Sequence, residues 1–395
     1  MAHYRYLIVG AGMTADSAVK GIRSRDAEGS IGMFGLESHA AYDRPPLSKA
    51  LWKGDSEETV WRKTPYDGVE LHLGVGIESI DPSSKTASDS NGDTHSYEKL
   101  LLATGVSPRR LDLGDDGIIY YRTFEDYRRL RELTETGNRF VVIGGGFIGS
   151  EIAAALTMND KQAILVFPGE GIGGNLFPAD LARNLNAYYE EKGVVVLPHS
   201  QVVSCSRRGE QFLVTIKGAD SEREELVDGV VAGVGTVLNG TLAQEAGLDF
   251  DQGVKVNSSL QTSDPNIYAA GDVATFFDPT LQEWRRVEHE DNANSMGEFV
   301  GRVMAGEVAT FTHLPFFYSD LFELGYEAVG DVDSRLETFA DWTEPFREGV
   351  VYYLREGRVR GVLLWNVWDQ VPAATELIAE AGPFTPETLK GRLPR

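Results

Sequence analysis

Gly144, Gly146 and Gly149 fall at the spacing GxGxxG, and Gly10, Gly12 and Ala15 at GxGxxA. At such a spacing the first residue makes a tight turn, the second lets the backbone approach a pyrophosphate, and the third lets a helix pack closely on the preceding strand. The amide dipoles of that helix then favour the phosphates. The elements that must position these residues are legible on both sides. Apolar runs at residues 6–9 and 140–143 read as buried parallel strands, and residues 14–24 and 151–158 as the helices that follow. Gly10 falls on Gly144 and Ala15 on Gly149 at one constant offset, so the chain carries two copies of one dinucleotide-binding unit.

Each copy needs an acid near the end of its next strand to hold a ribose hydroxyl. Glu37 follows the strand predicted at residues 31–36, and Glu170 follows the one at 163–167. Either glutamate is a ribose ligand or a solvated loop acid. The acid that ends such a strand directly would fall on Phe167, and Glu170 comes later in a glycine-rich loop.

Residues 42–49, YDRPPLSK, place Arg44 and Lys49 on either side of two prolines that preset the backbone. By chemistry alone the stretch is a ligand clamp or a surface loop. Strands are expected at 69–80 and 94–102, the latter ending in LLATG with Thr104 and Gly105. A short strand at 118–121, Arg122 and a charged helix at 124–133 lead into the second copy. A helix at 181–192 and strands at 194–197, 211–216 and 226–231 close that copy near Gly235. Residues 267–272, IYAAGD, read as a strand ending in Gly271 and Asp272, which returns the chain to the first copy. After His313 the pattern shifts to aromatics and alternating apolar residues, expected as an antiparallel sheet.

The 395 residues are ample for two or three domains, and 42% hydrophobic with 25% charged is the composition of a soluble protein. A net charge of −23 argues against nucleic-acid or anionic-membrane binding. Cys205 is the only cysteine, so no intramolecular disulfide forms. A strand already begins near Tyr4 and no long apolar run is present, so a cytoplasmic protein without membrane association is expected.

GxGxxA at Gly10, YDRPPLSK, LLATG, GGGFIGSE and IYAAGD occur in the order that resembles the FAD- and NAD(H)-dependent oxidoreductases related to glutathione reductase. RPPLSK resembles the branch containing apoptosis-inducing factor and ferredoxin reductases of the putidaredoxin reductase type. The resemblance implies an α/β fold with two Rossmann-like dinucleotide-binding domains and a C-terminal α+β interface domain. It divides the chain into an FAD domain at 1–115 and 246–312, an NAD(H) domain at 116–245 and a C-terminal domain at 313–395. LVFPGEGIGGNLFP, RRVEHEDNA, FYSDLFELGYEAVG and VLLWNVW lean toward apoptosis-inducing factor. The targeting segment and long C-terminal insertion of the animal proteins are not found, so their cell-death role is not carried over.

The flavin-proximal CxxxxC pair of the disulfide reductases is missing, so electrons must leave the flavin directly. The expected reaction is hydride transfer from NADH to FAD and onward transfer to an acceptor. By resemblance, Lys49 lies near the flavin and pairs with Glu151, its charge stabilising the reduced flavin. Phe147, beside Ile148 in the second glycine loop, shields the flavin face or simply packs in the core. Glu288, His289, Tyr318 and Glu327 match positions lining the flavin and nicotinamide site, with His289 either a donor to the flavin pyrimidine edge or a structural histidine. Arg44 and Arg122 match contacts to the FAD pyrophosphate, and Asp272 a contact to the ribitol. NADH is favoured over NADPH because residues 167–175 contain Glu170 and no lysine or arginine.

Three roles follow from the resemblance. One is an apoptosis-inducing-factor-like NADH oxidoreductase. Another is an NADH-dependent ferredoxin reductase feeding an oxygenase, with Arg109, Arg110, Arg285 and Arg286 available to an acidic [2Fe-2S] ferredoxin. The third is a binding protein whose homodimerisation or partner choice is switched by NADH.

Overall fold

Buried, β-branched and aromatic residues make the strand His3–Val9 the centre of a seven-stranded sheet. The computed structural model describes residues 2–114 and 117–393; the expected domain boundary at 115/116 lies outside them. The chain divides into two compact units. The first comprises residues up to 43 with 58–107 and 237–316, and the second comprises 44–57, 108–236 and 317 onward.

In the first unit Val69–Leu73, Ile31–Gly35, His3–Val9 and Thr94–Leu102 run parallel in that order, and Ile267–Ala269 adds to Thr94–Leu102. The helices Met13–Arg23 and Glu290–Met304 cross with backbones nearly touching. A Cβ on Gly301 would stand 2.2 Å from the Ala18 carbonyl oxygen. The expected strand at 69–80 is two strands, Val69–Leu73 and Ile77–Asp81. Gly74 between them sits at φ +71°, a left-handed turn that ends the first. The expected strand at 267–272 stops at Ala269, and Gly271–Val273 is a 3-10 turn.

The second unit holds a parallel sheet in the order Val195–Leu197, Gln162–Val166, Arg139–Ile143, Gly229–Ala232, Ile119–Tyr120. Gln201–Arg208, Gln211–Lys217 and Glu222–Val227 form a separate antiparallel sheet. The expected strand at 226–231 is therefore split between two sheets. Asp228 marks the break, its carboxylate accepting from the backbone N–H groups of Asn138 at 2.7 Å and Arg139 at 2.9 Å. Gln201–Arg208 was not legible because only Val202 and Cys205 are buried, while Val203 is exposed among polar residues, so no apolar/polar alternation shows. From Phe316 onward a sheet runs in the order Phe316–Leu321, Leu324–Gly330, Arg358–Trp365, Glu348–Arg355, Glu337–Glu344, its last four strands antiparallel, followed by the helix Val371–Ala379.

Candidate dinucleotide and electron-transfer site

In the first unit the strand His3–Val9 delivers Gly10 at φ +119°, where a Cβ would stand 2.2 Å from the Ala103 carbonyl oxygen. Only glycine tolerates both the torsion and the approach. Gly12 has open space where its Cβ would be, and it caps the helix Met13–Arg23 with no side-chain hydrogen bond to the first-turn N–H groups. Ala15 is fully buried beneath. Such an open cradle at a helix N-terminus fits a pyrophosphate. Thr104 and Gly105 follow the neighbouring strand Thr94–Leu102, and the Thr104 hydroxyl donates to the Asn239 carbonyl at 2.8 Å. The 3-10 turn carrying Gly271 and Asp272 presses on the same helix start: a Cβ on Gly271 would meet Thr14 Oγ1 at 2.3 Å. Glu37 accepts from the Tyr42 hydroxyl at 2.5 Å. Arg286 donates to the Asp272 carbonyl and to Glu288. His289 is the N-cap of Glu290–Met304, and desolvation, then the nearby Arg285 charge, push its imidazole down to about 4.

The second unit repeats the cradle. Gly144 sits at φ +112° with the Gly233 carbonyl oxygen 2.3 Å from where a Cβ would be, and Gly146 faces open space. A Cβ on Gly149 would lie 1.7 Å from the Gly144 carbonyl oxygen, which is why the third position must be bare. Phe147 opens the helix Phe147–Met158, followed by Ile148, and its ring meets Phe317 edge-on at 5.4 Å. Gly235, at φ +90°, accepts from the Arg109 N–H at 2.9 Å.

The Glu170 loop folds back on this cradle, with Gly173 N–H donating to the Gly145 carbonyl at 2.8 Å and Asn186 donating to the Glu170 carbonyl at 2.8 Å. Phe167 is buried, its ring where a Gly145 side chain would be. The Glu170 carboxylate pairs with Arg183 at 2.8 Å. The cation-free surround expected from residues 167–175 is thus corrected: Arg183 reaches it from the helix Ala179–Glu191.

In the same unit two prolines fold residues Pro45–Ser48 into a 3-10 turn, and Lys49 lies between it and a second turn, Ala50–Lys53. Lys49 Nζ is 2.7 Å from Glu151 Oε1, with side-chain exposures of 11% and 2%. Glu151 lies one helical turn after Phe147 on the same face. Ser48 and Ser319 also donate to its carboxylate, each at 2.5 Å. The Tyr318 ring lies 5.4 Å from Lys49 Nζ. Arg44 donates to the Arg122 carbonyl at 2.9 Å. Glu327 Oε2 is enclosed without a hydrogen-bond partner, and burial, with the Asp369 charge beside it, holds its carboxyl above the ordinary range. A buried carboxylate oxygen left unpaired fits a ligand N–H donor.

The profile of the pyridine nucleotide-disulphide oxidoreductases matches residues 4–297. The chain belongs to this family. A profile described as apoptosis-inducing factor, mitochondrion-associated, C-term, matches residues 341–380 of the oxidoreductase. Apoptosis-inducing factor 1, mitochondrial, of Dictyostelium discoideum is 32% identical, over 95% of this chain and 78% of its own length. Putidaredoxin reductase CamA of Pseudomonas putida is 30% identical, over 98% of this chain and 94% of its own. The covalent putidaredoxin reductase–putidaredoxin complex superposes with a TM-score of 0.89 at 28% identity, covering 98% of this chain and 95% of that one. This oxidoreductase uses FAD and NAD(H). Among its described residues no helix is long and apolar enough to cross a membrane.

Ser48, Ser319 and Arg183 were not singled out from the sequence. Both serines stand next to residues that were, Lys49 and Tyr318, inside quoted motifs. Arg183 carried no signal, since only the return of its helix brings it to Glu170. Of the arginines expected to face a ferredoxin, Arg285 pairs with Asp278 and Arg286 with Glu288, while Arg109 and Arg110 are exposed.

Proposed function

We propose that this oxidoreductase passes electrons from NADH through FAD directly to an external acceptor, in an apoptosis-inducing-factor-like form. The observation carrying this reading is the buried Lys49–Glu151 pair in a chain whose one cysteine, Cys205, is buried in the strand Gln201–Arg208. Bound FAD supplies hydride acceptance and electron release. Gly10, Gly12 and Ala15 hold its pyrophosphate with Arg44 and Arg122, Glu37 its ribose, and Thr104, Gly105, Gly271 and Asp272 its middle. Glu288 and His289 serve its pyrimidine edge. Gly144, Gly146, Ile148 and Gly149 cradle NADH, with Glu170 at its ribose and Gly235 flanking it. Phe147 covers the reacting face until nicotinamide takes its place, and Tyr318 and Glu327 receive the nicotinamide, the enclosed Glu327 oxygen accepting from its carboxamide. Lys49 stabilises negative charge that develops on reduction, and Glu151 fixes the lysine. The proposed division is an FAD domain at 1–115 and 246–312, an NAD(H) domain at 116–245 and a C-terminal domain from 313.

The likeness to putidaredoxin reductase favours a second reading, with a [2Fe-2S] ferredoxin as acceptor. An anaerobic NADH titration followed by air exposure separates the two. A long-lived long-wavelength absorbance band supports the apoptosis-inducing-factor-like form, and a change in sedimentation with NADH supports a switched homodimer. Immediate reoxidation with brisk ferredoxin reduction supports the second reading, and protein purified without flavin refutes both.

A further inference from the structure

Three side chains from two segments of the second unit, the Ser48–Lys49 turn and the strand carrying Ser319, converge on one carboxylate. Glu151, 3% exposed, receives Lys49 Nζ at 2.7 Å and Ser319 Oγ at 2.5 Å on Oε1, and Ser48 Oγ at 2.5 Å on Oε2. Ser48 ends the proline-set 3-10 turn and is 5% exposed; Ser319 lies in the strand Phe316–Leu321 and is fully buried. The surrounding phenols carry no charge to compete. Tyr121, Tyr189 and Tyr326 are pushed well above the ordinary tyrosine range by burial, with the Glu151 charge contributing. Tyr121 is committed to the Leu47 carbonyl at 2.5 Å and Tyr189 to the Ser150 carbonyl at 3.2 Å.

A lysine ammonium is a point charge on a flexible four-carbon stem, so its place is set by its partner. A lone carboxylate partner would pivot with it. Here two hydroxyls, one per oxygen, lock the plane of the carboxylate from opposite segments, and both satisfy buried lone pairs that would otherwise draw wholly on the ammonium. We propose that Ser48 and Ser319 are positioning residues for electron transfer, fixing the Glu151 carboxylate and thereby holding the Lys49 ammonium available to the flavin. The inference rests on the reading of Lys49 given above. Loss of a serine donor leaves the carboxylate to pull the ammonium onto itself, so less positive charge faces the flavin.

The test is an anaerobic spectroelectrochemical titration of the FAD-loaded protein. Ser48→Ala and Ser319→Ala are each expected to lower the flavin midpoint potential by about 30 mV, a tenfold change in a two-electron equilibrium. Ser48→Thr, which keeps the hydroxyl, is expected to retain the wild-type potential. In a Lys49→Met background neither alanine change should move the potential further. Where Ser319→Ala does not fold, near-isosteric Ser319→Cys takes its place. Flavin-loaded serine variants at the wild-type potential, or equal shifts with and without Lys49, overturn the inference while the reading of Lys49 stands. A Lys49→Met variant at the wild-type potential overturns that reading, and the inference with it.

Discussion

Lys49 Nζ and Glu151 Oε1 lie 2.7 Å apart, with the carboxylate side chain 2% exposed. Removing one partner of a buried pair strands the other, at a cost of about 3 kcal/mol or more. Lys49→Met is therefore expected to lower the urea midpoint of the transition in which the second unit unfolds. Lys49→Met/Glu151→Gln should recover part of that loss, because no uncompensated charge remains. A double variant as unstable as the sum of the two single changes would show that the residues do not act as a pair.

Gly149→Ala puts a methyl group 1.7 Å from the Gly144 carbonyl oxygen, so the glycine loop must move. Because Gly149 belongs to the second cradle, flavin content should persist while KM for NADH rises by about tenfold or more, a loss of some 1.4 kcal/mol in binding. Stopped-flow reduction by NADH and the absorbance of bound flavin measure the two separately.

Coenzyme choice should turn on Glu170, whose carboxylate holds Arg183 at 2.8 Å. Glu170→Ala removes the charge that repels a 2′-phosphate and releases Arg183 to meet it. The ratio of kcat/KM for NADPH over NADH is expected to rise about tenfold, equivalent to about 1.4 kcal/mol. Glu170→Ala/Arg183→Ala should lose most of that gain. An unchanged ratio in Glu170→Ala would remove Glu170 from the coenzyme site.

His289 gives a pH dependence with a fixed sign. Desolvation and Arg285 depress its folded value to about 4, against opposing contributions from Glu288 and Asp291. Between that value and the unfolded value of about 6.5 the unfolded chain binds the additional proton, so stability rises with pH. The His289 contribution is thus complete above about pH 6.5 and is lost as pH falls toward 4, amounting to roughly 3 kcal/mol at most over that window. The stability difference between wild type and His289→Asn should follow this course in urea titrations at several pH values. A difference that does not vary between pH 4 and 6.5 would contradict it.

The glycine spacings determined the two cradles unaided, because each position answers to a local constraint: a positive φ at Gly10 and Gly144, and a helix against its own loop at Gly149. Buried parallel strands such as Arg139–Ile143 were legible as short apolar runs for the same local reason. Gln201–Arg208 was not, because its few buried positions give no clear alternation even though it pairs as a hairpin with the adjoining Gln211–Lys217. The break at Asp228 was not, since it is set by Asn138, distant in sequence. The site divides in the same way. Motif residues Lys49 and Glu151 could be named from the sequence, but the serines that hold the carboxylate and the arginine that occupies Glu170 could not. A hydroxyl or guanidinium on a helix, turn or strand carries no mark of the partner it will meet. Only the tertiary structure brings Ser48 and Ser319 onto the two oxygens of Glu151, because long-range packing alone decides which segments share a buried charge.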